Sequence, residues 1–143
     1  EISRAIKINL TTPILLTNMI SKIMIQNKKG LIIFFSSVAT VVNEIGSSTY
    51  ASSKSGIETF SNTVHKEMKK LNIKVATFRI LYLPTALSNK LNIKEIKILK
   101  NKFKTNRFGK VKNIFKEINK IYNLKRIPEN NIYFDKLKNE KNK

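Results

Sequence analysis

The chain has 143 residues, 41% of them hydrophobic, which is enough for one domain with one core; with no cysteine, disulfide frameworks and thiolate metal sites are excluded. The net charge of +19 leans toward residues 86–143, yet Arg4, Arg79, Arg107 and Arg126 are the only arginines. Nucleic-acid recognition favours the guanidinium fork, so the lysine excess reads as solvated faces and no specific nucleic-acid partner is expected.

Residues 2–25 place Ile2, Ala5, Ile6, Leu10, Leu15, Met19 and Ile23 at helical spacing, predicting a helix with one broad apolar face. Pro13 falls inside it. Proline has no N–H, so the carbonyl of Asn9 loses its helical partner and a kink is expected there, with a carbonyl free to hold a water. Lys28-Lys29-Gly30 ends the helix, and Leu31 to Phe35 reads as a central parallel strand buried on both faces. Residues 38–49, with Asn43, Gly46, Ser47 and Ser48, read as a loop. A loop leaving the carboxyl end of a parallel strand is where open α/β sheets place ligands.

Thr49 to about Lys70 reads as the next helix, with Ala51, Ile57, Phe60, Val64 and Met68 as its core stripe and His65 as a surface or helix-packing residue. Ile73 to about Leu81 is a second apolar strand, and helix followed by strand suggests a right-handed parallel crossover. Residues 86–104 form a lysine-rich amphipathic stretch, Val111 to Tyr122 a further helix, Asn131 to Asp135 a last strand, and Lys136 to Lys143 a charged tail. The expected division is one domain over 1–135 and a tail over 136–143. No stretch is apolar enough to suggest a membrane span, and residues 1–27 carry charges without a small-residue cleavage site, so a cytoplasmic protein is expected.

Tyr50 and Lys54 stand four residues apart in a predicted helix, hence on one face. A fixed cation beside a phenol favours the phenolate and makes the phenol a usable general acid or base. Ser37, ending the buried strand, is placed to hold a substrate oxygen. Ser37, then Tyr50 thirteen residues on, then Lys54 and Gly56, resembles the Ser…Tyr-x-x-x-Lys signature of the short-chain dehydrogenase/reductase family. The resemblance implies an α/β fold, a partial Rossmann-like doubly wound parallel sheet, and NAD- or NADP-dependent hydride transfer between a carbonyl and an alcohol. It implies that Tyr50 is the acid/base, that Lys54 tunes it and binds the nicotinamide ribose, that Ser37 positions the substrate, and that Asn9, in an Asn9-Leu10 context, holds a relay water.

By the same resemblance Leu83 and Thr85 contact the nicotinamide carboxamide, although Ile80-Leu81 stands where the family carries Pro-Gly. Residues 86–104 correspond to its substrate-covering segment, and Arg107-Phe108-Gly109 to the element before its last helix. Helices 2–25 and 49–70 correspond to those that pair in family oligomers, so a homo-oligomer is implied. The four glycines, at 30, 46, 56 and 109, cannot build the family's Gly-rich phosphate turn, so the chain reads as its C-terminal catalytic part with the cofactor-binding start missing. Two other readings stand beside this one: an inactive relative acting as an interaction module, and a basic nucleic-acid-binding domain. No metal ligand set is visible.

Overall fold

The computed structural model describes residues 1–42, 45–80, 111–125, 127 and 132–134. Three parallel strands form a sheet in the order β1 (Gly30–Ser37), β2 (Ile73–Ile80), β3 (Ile132–Phe134). Helix α1 (Ile2–Gln26) precedes β1, and α3 (Ser48–Met68) carries the crossover from β1 to β2. A single turn, α2 (Ala39–Val42), follows β1, and α4 (Val111–Asn123) lies between β2 and β3 in the chain. The Gly30↔Ile73 to Ser37↔Ile80 register aligns the carboxyl ends of β1 and β2.

Alternation along the strands sorts side chains to two covered faces. Ile32 and Phe34 of β1 and Ile73 and Val75 of β2 meet Ile57, Phe60, Val64 and Met68 of α3 and Leu10, Ile14 and Met24 of α1. Leu31, Ile33, Ala76, Phe78 and Ile80 meet Ile118 and Ile121 of α4 and Ile127 on the other face. The result is helix, sheet, helix: the doubly wound arrangement expected from the alternation of apolar strands and amphipathic helices. Val75, Ala76 and Phe78 are essentially inaccessible, which makes β2 the centre of the core.

Some expectations need correction. The segment 38–49 is not wholly a loop: its first residues form α2, because the Val41 and Val42 N–H groups both reach the Val38 carbonyl and close a helical turn. β1 is also not a central strand of the described sheet, although helices pack on both of its faces. Among the described residues it pairs only with β2, and Phe35 is 46% exposed although its ring tilts against Phe78. An edge position leaves one flank of the strand without a neighbour to cover it.

α1 is long and apolar enough to cross a membrane by length and composition, unlike the reading that no stretch was. It nonetheless forms a layer of the fold, with Leu10, Ile14 and Met24 half-buried against the core and Leu15, Leu16, Met19 and Ile23 exposed. Its path is continuous through Pro13. Just before that proline, residues Lys7–Thr11 widen into a π turn, in which the Thr12 N–H reaches the Lys7 carbonyl five residues back. Residues 81–110 and 135–143 lie outside the described residues, and with them the expectations for Leu83, Thr85, the 86–104 stretch, Arg107-Phe108-Gly109 and the tail.

Candidate active site

β1 ends at Ser37: the Val38 N–H still reaches the Ile80 carbonyl on β2, and the chain then turns into α2. Ser37 Oγ accepts a hydrogen bond from Ala39 N–H at 3.2 Å, and the Ser37 carbonyl accepts one from Thr40 Oγ1 at 2.9 Å. The first of these uses a lone pair of the hydroxyl and not its hydrogen. Ser37 therefore sits at the carboxyl edge of the sheet with its hydroxyl oriented by the backbone that follows it.

Tyr50 and Lys54 occupy the first two turns of α3, which runs away from that same edge. Lys54 Nζ lies 5.8 Å from the centre of the Tyr50 ring and donates to the Phe35 carbonyl at 3.0 Å, two residues before Ser37. One ammonium thus joins the phenol to the strand end that carries the serine. Burial draws the Lys54 ammonium below the usual lysine range. Tyr50 is 43% exposed, so the ring is open to a reactant from solvent.

Asn9 lies within the π turn of α1, half-buried, and α1 reaches α3 through the adjacent Leu10. Gly56 makes that approach possible: a Cβ there would stand 3.0 and 3.1 Å from the two Leu10 methyls. The glycine two residues after Lys54 therefore seats the Asn9-Leu10 turn against the helix that bears Tyr50 and Lys54. The α1 turn meets α3 through Leu10 and Gly56, and the β1 end meets α3 through Phe35 and Lys54.

The structure adds a polar ladder that periodicity did not reveal. The buried face of α3 carries Ser53, Glu58, Ser61 and His65 beside the apolar stripe. His65 Nδ1 lies 3.1 Å from the Val75 carbonyl, so it packs inside the domain, with Nε2 buried and without a partner among the described residues. One turn closer to the site, Thr77 Oγ1 donates to Ser61 Oγ at 2.6 Å. Closer still, Arg79 Nε and Nη2 donate to Glu58 Oε1 and Oε2 at 2.8 and 2.5 Å.

Burial pushes the Glu58 carboxyl up, but the Arg79 hydrogen bonds and charge, with hydroxyl donors from Ser36 and Thr40, outweigh it and hold the group below the usual carboxylate range. The bond to Glu58 raises Arg79 in turn. Arg79 had been visible only as one of four arginines. The available signal was spacing: Tyr50, Lys54 and Glu58 fall at successive four-residue steps, so the carboxylate had to share the face of the site.

A family model described as short chain dehydrogenase matches residues 1–96, two thirds of the chain and the whole of this site. The chain belongs to the short-chain dehydrogenase family. It is similar to a 3-oxoacyl-(acyl-carrier-protein) reductase of Synechocystis, with 33% identity over 64% of this chain and 37% of the relative. A 3-oxoacyl-(acyl-carrier-protein) reductase of Thermotoga maritima is 30% identical over 73% of this chain and 43% of its own length. The chain therefore spans less than half the length of these curated relatives. The fold is similar to that of the crystal structure of 3-hydroxyacyl-CoA dehydrogenase type-2 from Mycobacterium avium, with a TM-score of 0.80 at 14% identity, covering 93% of this chain and 54% of that one. A Thermus thermophilus protein of known structure gives a TM-score of 0.77 at 19% identity, covering 85% and 52%. These structural neighbours share the Rossmann-like fold, of which the elements described above are a part.

Proposed function

We propose that this segment carries the catalytic machinery of an NAD(P)-dependent oxidoreductase that interconverts a small-molecule carbonyl and its alcohol. The observation that supports it most is the Lys54 ammonium, which lies against the Tyr50 ring and on the carbonyl of the strand that ends in Ser37. The residues present suit the nicotinamide end of NAD or NADP. Lys54 uses one N–H on Phe35 and, as an ammonium, has three donors, so it can also hold ribose hydroxyls beside the Tyr50 hydroxyl. The phosphate end finds no Gly-rich turn among the glycines of these 143 residues. When bound, NAD(P)H supplies the hydride.

In reduction, Tyr50 gives its phenolic proton to the substrate oxygen while the carbonyl carbon gains the hydride, so a C=O becomes a CH–OH. Lys54 stabilises the phenolate that results, and its proton supply runs through the water assigned to the Asn9 carbonyl. Ser37 donates its hydroxyl hydrogen to the substrate oxygen and holds it within reach of Tyr50. Leu83 and Thr85 remain the assignment for the nicotinamide carboxamide. The relatives' names suggest ketones as the substrate class. A reaction on small soluble substrates fits a cytoplasmic protein, and α1, packed as a layer of the domain, fits better than a membrane helix.

Lys54→Met and Ser37→Ala in the full-length gene product test the assignment by NAD(P)H oxidation with a panel of ketones. Each is expected to lower kcat/KM by about 10²-fold or more, the usual cost of losing an oriented donor or the cation that tunes an acid. Turnover within about threefold of wild type in either variant, well below that cost, would remove that residue from the mechanism.

A further inference from the structure

The Glu58–Arg79 pair stands where three structural ends meet, and none of the four proposed catalytic residues explains it. Arg79 lies opposite Ser36 in the β1–β2 register, one residue before Ser37. Glu58 lies one turn beyond Lys54 on the same face of α3. The pair is close to dry, with side-chain exposures of 13% for Arg79 and 10% for Glu58. A buried ion pair contributes little net stability compared with apolar packing of the same volume, so its presence here points to fixing geometry.

The hydrogen bonds show which geometry. Thr40 Oγ1 stands within donor distance of two acceptors, the Ser37 carbonyl at 2.9 Å and Glu58 Oε1 at 3.2 Å, and shares its single hydroxyl hydrogen between them. Ser36 Oγ donates toward the Lys54 carbonyl at 3.4 Å, and the same hydroxyl helps hold the Glu58 carboxyl below the usual carboxylate range. One carboxylate is therefore tied, directly or through a single hydroxyl, to the residues on both sides of the Ser37 peptide and to the turn of α3 that carries Lys54. Arg79 supplies the counter-charge that lets the carboxylate remain ionised at this depth, and its bidentate grip fixes the carboxylate plane.

We propose that Glu58 and Arg79, acting through Thr40 and Ser36, are positioning residues that hold the Ser37 segment in register with Tyr50 and Lys54 on α3. The proposal rests on the oxidoreductase reading for its catalytic consequence, but the placement itself can be measured without turnover. Thr40→Val removes only the bridging hydroxyl at nearly constant shape; Glu58→Gln removes the charge; Thr40→Ser returns the hydroxyl without the methyl.

Amide hydrogen exchange on the full-length product reads the placement. In Thr40→Val and Glu58→Gln, exchange at residues 38–42 is expected to accelerate about tenfold, as loss of a hydrogen bond to a charged group would allow, with β2 amides unchanged and Thr40→Ser recovering most of the loss. Unchanged exchange at 38–42 in both variants would overturn the proposal, and if Glu58→Gln fails to fold the Thr40 pair alone decides. The same variants assayed for ketone reduction should lower kcat about tenfold with the KM for NAD(P)H within about twofold, since a misplaced serine affects the reacting oxygen and not cofactor binding. A parallel Tyr50→Phe separates two failures. Turnover that survives Tyr50→Phe defeats the oxidoreductase reading, whereas turnover lost there but intact in Thr40→Val and Glu58→Gln defeats the positioning role alone.

Discussion

Replacing Arg79 with Met converts the Glu58 environment from compensated to uncompensated, and the cost depends on pH with a definite sign. Breaking one side of a buried pair costs about 3–5 kcal/mol because the remaining charge is stranded. Here the Thr40 and Ser36 hydroxyls still reach the Glu58 carboxylate, and the pair keeps slight solvent access, so about 2–3 kcal/mol at neutral pH is the reasonable range. At this chain length that corresponds to a melting temperature lowered by about 5–10 °C. In the wild type the Glu58 carboxyl is held below its ordinary range, so the stability it contributes is present above the unfolded carboxylate value and is lost as pH falls through the lower folded one. In Arg79→Met the opposing causes weaken and burial pushes the same carboxyl up, so acid relieves the variant while it costs the wild type. Thermal or urea unfolding of both proteins at pH 7 and pH 5 should show the gap narrowing on acidification. Equal stability at pH 7, or a gap that widens in acid, would refute the reading of this pair as a buried carboxylate held by its guanidinium.

Three further outcomes follow from the same structure. Gly56→Ala places a Cβ 3.0 and 3.1 Å from the two Leu10 methyls, so the Leu10 side chain must give by a few tenths of an ångström; a net loss of about 1 kcal/mol in urea unfolding is expected after the helix gain of alanine, and a stabilised protein would show that the contact is slack. The 143-residue chain alone should bind NADH or NADPH weakly, because its glycines cannot form a phosphate-cradling turn; a nicotinamide fluorescence titration giving affinity tighter than about micromolar would contradict this. With β1 paired on one side only among the described residues and Leu15, Leu16, Met19 and Ile23 of α1 exposed, that chain should self-associate in light scattering; a monodisperse monomer at high concentration would count against it.

Much of the fold was legible because its signals are local. Apolar runs bounded by Gly30 and Ser37, and by Asn72 and the end of β2, announce strands, and the stripe through Ile57 and Val64 announces the crossover helix between them. Ser37, Tyr50 and Lys54 were legible as a spaced set, and their placement at one sheet edge follows once β1 and α3 form. Asn9 was singled out through Pro13, and the irregularity expected there takes the form of a π turn over Lys7–Thr11. The Glu58–Arg79 pair was not legible, because it joins residues 21 apart and depends on the β1–β2 register. The α2 turn was hidden for a related reason: Ala39–Val42 contains β-branched residues of modest helix propensity, and the turn is held by Ser37 and Val38. The exposure of Phe35 reflects what lies beside the strand, which an apolar run does not report.

The measurement that bears most directly on the proposed chemistry is ketone reduction by the Tyr50→Phe form of the full-length product, with NAD(P)H binding measured in parallel. Removing one oxygen leaves the ring and its packing in place. If Tyr50 is the proton donor, kcat falls by about 10²–10⁴-fold while the folded protein still binds the cofactor. Reduction that persists within a few-fold of wild type would contradict the assignment of Ser37, Tyr50 and Lys54 as an oxidoreductase site.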